Sequence, residues 1–196
     1  MATGEYPVLP VVLPADLKGA PNGRLNPALL RPIKSYPKGQ LHQRAATAFN
    51  ALVLHAYFSG IELKPTSPGD CYRTFDQQKA MFDKRYSPTP TGRNPQVTRQ
   101  YDGKTWYLKP GVAPSASPGT SNHGLGLAVD ISGASGKRLE WMLGDRFLNC
   151  PILRYGFSWE VKDGPNAESW HIRYVTGDTY TPDVEAAIKA FPDLVA

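Results

Sequence analysis

Ser121-Asn122-His123-Gly124-Leu125-Gly126-Leu127-Ala128-Val129-Asp130 decides how the rest of the chain is read. From Leu127 onward the side chains alternate, as they do on an extended strand whose successive residues face opposite ways. Leu127, Val129 and Ile131 share one face, which belongs in a core, and Ala128, Asp130 and Ser132 share the other. Small Ala128 beside Asp130 leaves room for an ion or a ligand. Gly124 and Gly126 let the backbone bend so that His123 returns to the side of the carboxylate. The alternation predicts a strand over Gly126 to Ser132.

A second stretch complements the first: Glu168-Ser169-Trp170-His171-Ile172-Arg173-Tyr174. Trp170, Ile172 and Tyr174 form its core face, while His171 and Arg173 face a cleft. A strand is expected over Trp170 to Val175. One carboxylate and two imidazoles suit Zn²⁺, which takes both at about 2.0–2.2 Å. The same ligands also suit Fe or Mn. His171 is the natural third ligand beside His123 and Asp130. Three protein ligands with an open fourth position is the layout of a catalytic zinc. On a straight strand Glu168 would face away from His171. It is therefore expected in the turn entering the strand, bent back over the metal, where it can move a proton from water to a leaving amine.

Working outward, Leu41, Ala45, Ala48, Phe49, Leu52, Val53 and Ala56 recur at helical spacing and predict a helix from Leu41 to Phe58, stopped by Gly60. His42 and His55 fall on different faces of it and read as surface or core-edge histidines. Thr74-Phe75-Asp76-Gln77 has the form of a capping box and opens a helix running to about Lys84. Ser87 to Pro95 reads as loop. Val97 to Leu108 reads as a hairpin around Asp102-Gly103, whose Tyr101, Trp106 and Tyr107 either meet substrate or pack. A helix is expected over Lys137 to Leu148, a turn and a strand over Pro151 to Val161, and a last helix opened by Thr181-Pro182 and ended by Pro192. Seven of the 19 prolines lie in residues 1–40. That segment is expected to be an extended arm packed on a single domain spanning residues 41–196. Short strands between unevenly spaced helices predict an α+β fold, a small antiparallel sheet flanked by helices.

The chain has 196 residues with 11% aromatic side chains, enough for a real core and too many for wholesale disorder. No apolar run approaches the ~18 residues a membrane span needs, so no membrane insertion is expected. Met1 to Pro7 lacks a basic n-region and an apolar h-region and does not read as a secretory signal. The net charge of +5 favours polyanions, whether nucleic acid, anionic lipid or the acidic bacterial cell wall, and does not choose among them. The basic residues are scattered rather than clustered, which argues against a nucleic-acid partner. Cys71 and Cys150 form no C-x-x-C and read as two buried thiols, the alternative being a single bridge if the protein works outside a cell.

The string S-x-H-x-x-G-x-A-x-D at Ser121 to Asp130, followed by E-x-W-H at Glu168 to His171, resembles the zinc peptidases of the D-alanyl-D-alanine carboxypeptidase and L-alanyl-D-glutamate endopeptidase family, which share a fold with the Hedgehog signalling domain. Tyr72-Arg73-Thr74-Phe75-Asp76-Gln77-Gln78 is similar to that family's Y-R-[ST]-x-x-x-Q segment, and the three elements occur in the family's order. Cys71 departs from the pattern, standing where many relatives carry glycine. The resemblance implies one zinc ion held by His123, Asp130 and His171, with Glu168 as general base and acid. It implies Arg73 as the cation beside the scissile carbonyl, a role a fixed guanidinium suits. Ser121 and Gln78 are assigned to the substrate pocket or its support.

The partner implied is the stem peptide of bacterial peptidoglycan, with a monomeric chain as the expectation. The absent signal and the positive charge lean towards an L-alanyl-D-glutamate endopeptidase of the phage endolysin type, made in the host cytoplasm and released onto the wall, or an excised module of a larger lysin. The alternatives are a D-Ala-D-Ala carboxypeptidase or dipeptidase, and a non-catalytic zinc or wall-binding module.

Overall fold

A computed structural model describes residues 5–91, 97–145, 149–164 and 167–196. Proline shapes residues 5–40, where short 3₁₀ turns and a two-stranded ribbon stand among irregular stretches. Single 3₁₀ turns form at Ala15–Leu17 and Pro27–Leu29. Then β1 (Leu30–Ile33) pairs antiparallel with β2 (Tyr36–His42). Pro32 sits opposite Gln40, and the register slips directly after it. A two-stranded ribbon with a bulge accommodates a residue that has no N–H to give. The helix expected from Leu41 starts later, as α1 (Gln43–Phe58). Leu41 and His42 are taken by the ribbon, paired with Arg31 and Leu30. His42 then caps the helix, its Nδ1 accepting the Arg44 backbone N–H at 3.4 Å.

The capping box forms as α2 (Phe75–Arg85) begins. Gln77 N–H donates to Thr74 Oγ1 at 3.2 Å, and Thr74 N–H donates back to Gln77 Oε1 at 2.9 Å. Next, β3 (Tyr86–Ser87), β4 (Thr98–Tyr101) and β5 (Lys104–Leu108) make a sheet in the order β3-β5-β4. Its turn is at Asp102 and Gly103, with φ of 51° and 67°, as a tight Asp-Gly hairpin requires. Tyr101 and Trp106 pack edge-on against Phe82 of α2, with ring centroids at 5.4 and 5.2 Å, so these two aromatics build a satellite core. The end of the expected 87–95 loop lies outside the described residues.

The third sheet carries the site. It joins β6 (Ala128–Asp130), β7 (Phe157–Trp159) and β8 (His171–Tyr174) in the order β6-β8-β7, all antiparallel. Between β6 and β7 lie α3 (Gly136–Leu143) and the single-turn α4 (Pro151–Arg154). The helix expected to reach Leu148 stops at Gly144, whose φ is 52°; Leu148 itself lies outside the described residues. The chain closes with α5 (Pro182–Ala190), capped by Thr181, and α6 (Pro192–Val195). Val129 pairs with Ile172 and Ile172 with Trp159 across the sheet. All three are fully buried, as is Phe49 of α1, whose ring meets Phe157 at 5.9 Å. Burying each such side chain stabilises the fold by about 1.5–3 kcal/mol. Tyr6 stacks on Trp159 at 5.3 Å, and Ser158 Oγ accepts the Leu9 N–H at 2.7 Å.

The architecture is α+β with small antiparallel sheets and helices. No helix of the described residues is long and apolar enough to cross a membrane. Cys71 and Cys150 are buried free thiols.

Candidate metal centre and active site

The face of the third sheet opposite the core holds two rows. Ala128, Arg173 and Ser158 form one by direct pairing. Asp130 pairs with His171 in the other. His123 arrives from outside the sheet. It lies in a 3₁₀ turn, Asn122–Leu125, that ends at Gly126 with φ 66°. That left-handed residue turns the chain into β6 and brings His123 back over Asp130. One ligand atom from each of His123, Asp130 and His171 lies within 4.8 Å of the others. His171 Nδ1 is 2.7 Å from Asp130 Oδ1, and His123 Nε2 is 3.4 Å from Asp130 Oδ2.

The chemistry of this donor set fits a divalent ion. Each ring turns one nitrogen to Asp130 and the other to a separate acceptor. His123 Nδ1 lies 2.9 Å from the Cys71 carbonyl. His171 Nε2 lies 3.1 Å from Glu160 Oε2, in ion-pair contact but off the N–H direction, so this buried nitrogen has no aligned hydrogen bond. Metal-ligating histidines characteristically place their second nitrogen against a carbonyl or carboxylate. Burial opposes charge on both partners of the His171–Asp130 pair, and their mutual attraction outweighs it. The His171 pKa is pushed up to about 9 against that burial by Asp130 and Glu160. Asp130 is held below the usual carboxylate range by both histidines.

Glu168 stands in the segment entering β8, where its carbonyl accepts the His171 N–H at 3.1 Å. The next carbonyl, Ser169, is pinned by Trp159 Nε1 at 3.0 Å. Partial burial of the Glu168 carboxyl raises its pKa, and the charges of Asp130 and Glu160 add to that, against the pull of His171. A raised carboxyl pKa suits a group that must both take and give a proton. Arg73 is 9% exposed. Its backbone N–H donates to the His123 carbonyl at 3.0 Å, which fixes it to the metal turn. Nε donates to Gly69 O at 2.8 Å, and Nη2 to Asp70 Oδ1 at 3.1 Å. Burial lowers its pKa, while Asp70 and Asp130 act the other way.

Gln78 is buried with its amide fully engaged. Nε2 donates to Asn22 Oδ1 and to the Arg73 carbonyl, each at 3.2 Å, and Oε1 accepts the Gly119 N–H at 2.9 Å. Ser121 precedes the metal turn. Its carbonyl accepts from Asn22 Nδ2 at 2.8 Å, and its hydroxyl makes no cap hydrogen bond. Asn22 and Gln78 meet over Gly124, where a Cβ would come within 1.9 Å of Asn22 Oδ1 and 2.3 Å of Gln78 Nε2.

Sequence reasoning missed Glu160, Asn122 and the Cys71 carbonyl. Phe157 and Trp159 alternate with Ser158 and Glu160, so Glu160 was placeable on the cleft face. Its position beside His171 depended on the β7–β8 register, which no local pattern carries.

A sequence model of the family described as "VanY: D-alanyl-D-alanine carboxypeptidase" matches residues 38–177. A D-alanyl-D-alanine carboxypeptidase of Enterococcus faecalis is 29% identical over 125 residues, 61% of this chain. The chain spans 41% of that relative's length. Among solved structures, VanYB in complex with D-alanine-D-alanine has a TM-score of 0.46 at 23% identity, covering 83% of this chain and 82% of the other. A mutant of the vancomycin-resistance D,D-pentapeptidase VanY in complex with Zn(II) has a TM-score of 0.46 at 20% identity, covering 95% and 93%.

Proposed function

The chain belongs to the VanY family of D-alanyl-D-alanine carboxypeptidases, and on that footing we propose that it is a zinc-dependent peptidase of the peptidoglycan stem peptide, releasing the terminal D-alanine. The observation that carries this reading is the meeting of His123, Asp130 and His171 within 4.8 Å. The family match favours the carboxypeptidase over the L-alanyl-D-glutamate endopeptidase expected from the sequence. The endolysin assignment rests only on the N-terminal residues and the charge. The site of action is the cell wall.

His123, Asp130 and His171 hold the ion. When bound, zinc supplies Lewis acidity that polarises the scissile carbonyl and acidifies water. Glu168, beside the ligands but outside their set, takes the proton of the attacking water. The same carboxyl then gives that proton to the amine of the departing D-alanine as the C–N bond breaks. Arg73, held by Asp70 and Gly69, presents a fixed cation to the oxyanion of the tetrahedral adduct. Gln78 and Ser121, through their ties to Asn22, keep Arg73 and the metal turn in register.

The test is digestion of a stem pentapeptide ending in D-Ala-D-Ala, and of purified peptidoglycan, with zinc and with chelator, followed by mass spectrometry. Metal-dependent release of free D-alanine is the expected result. A metal-dependent cut within the stem would replace this reading with the endopeptidase. No product with zinc restored would leave a non-catalytic metal or wall-binding module.

A further inference from the structure

Glu160 follows directly after β7, one position beyond the pair Trp159–Ile172. The antiparallel register therefore sets it opposite His171, extending the row Asp130–His171 across the sheet. Its carboxylate is fixed from two sides. Asn122 Nδ2 donates to Oε2 at 2.8 Å, and Arg173 Nη1 lies 3.6 Å from Oε1. Asn122 is the residue before the ligand His123, so one amide ties the His123 turn to the carboxylate that faces His171. On the far side of the ring from Asp130, Glu160 Oε2 lies 3.1 Å from His171 Nε2. That nitrogen is buried and makes no hydrogen bond, so the Glu160 carboxylate is its one polar contact among the described residues. Glu160 is not itself in the ligand cluster, which comprises His123, Asp130 and His171.

We infer that Glu160 is a positioning residue for the metal centre: it holds the Nε2–H of His171, so that Nδ1 is the nitrogen presented to the ion. This rests on the ligand set of the proposed function. The Cys71 carbonyl does the same for His123 from the opposite nitrogen. The two outer partners differ in one respect. A carbonyl fixes the tautomer, whereas a carboxylate also makes the imidazole a stronger donor to the metal.

The test uses the whole chain. Glu160→Ala, Glu160→Gln and Asn122→Ala are compared with wild type for Zn²⁺ affinity, by competition with a chromogenic chelator. The visible absorption of the Co²⁺-loaded proteins is recorded alongside, with thermal melts of the metal-free proteins as a control for folding. Glu160 is half-exposed, so its truncation leaves the core intact. Expected is a loss of about 10–100-fold in affinity for Glu160→Ala, typical of an outer partner of a ligating histidine, with shifted Co²⁺ bands and an unchanged metal-free melt. Glu160→Gln keeps an acceptor oxygen and recovers part of the loss, and Asn122→Ala shows a smaller loss in the same direction. Wild-type affinity and an unchanged Co²⁺ spectrum in Glu160→Ala would overturn the positioning role alone. So would losses matched by a collapsed melt and equal in Ala and Gln. Failure of the wild-type chain to bind either metal would instead remove the ligand set, and this role with it.

Discussion

Gly126→Ala tests whether the turn that aims His123 at Asp130 depends on a residue without a side chain. Two costs can be worked from the structure. Gly126 has φ +66°, and an L-residue with a Cβ in that region costs about 1–2 kcal/mol. Its Cβ would also stand 2.7 Å from the His42 backbone nitrogen, the same N–H that donates to Gly126 O at 2.9 Å. Relief requires β2 and the turn to separate. That weakens a buried hydrogen bond at about 0.5–1.5 kcal/mol and adds packing strain of about 1–3 kcal/mol. The sum is about 2.5–6.5 kcal/mol, or roughly 5–26 °C in Tm for a chain of this size. Gly60→Ala is the control. Gly60 has φ +72° with nothing within 4 Å, so only the backbone cost applies, about 1–2 kcal/mol. Gly126→Asn separates the two contributions, because Asn tolerates the left-handed region but keeps the Cβ. Thermal melts of the four metal-free proteins are the assay, followed by zinc titration. The expected order of stability is wild type, Gly60→Ala, Gly126→Asn, Gly126→Ala, with zinc affinity reduced only at position 126. A Gly126→Ala protein that melts with Gly60→Ala and binds zinc normally would refute the reasoning.

Glu168→Gln is expected to lower kcat by about 10²–10⁴, the usual contribution of a general acid–base group, while elemental analysis still finds one zinc per chain. His123→Ala removes a ligand and loses both the zinc and the stabilisation zinc gives, which is about 2.7 kcal/mol at 100 times Kd in wild type and is read as the zinc-induced rise in Tm. The His42 pKa lies below its usual value because burial outweighs the pairing with Asp16. Its contribution to stability is therefore full above the unfolded value of about 6.5 and is lost as pH falls through the lower folded value. Protonation of Nδ1 also ends its acceptance of the Arg44 N–H at the start of α1. Melts between about pH 7 and 5 are expected to fall more steeply in wild type than in His42→Asn, which caps without titrating; equal slopes would contradict this.

What could be read from the sequence and what could not divide along a physical line. Alternation in Leu127 to Asp130 and in Trp170 to Tyr174 is a property of each strand alone, so the two faces were legible, and with them the candidates His123, Asp130 and His171. The capping box at Thr74 and the Asp102-Gly103 turn are equally local, and both form where the spacing put them. The start of α1 was not, because Leu41 and His42 satisfy a helical period and a strand pairing alike, and a distant partner, Leu30–Arg31, decides between them. Glu160 belongs to the same class. Its side of β7 follows from the sequence, but its neighbour follows from register. In an antiparallel pair a slip of one residue reverses every face. Such a slip in β7 would set Trp159 opposite His171 and turn Glu160 to the core side. The β7–β8 register is therefore a constraint on chemistry as well as on packing. That register sets Glu160 against Nε2 of His171, and the segment entering β8 carries Glu168, whose carbonyl accepts the His171 N–H.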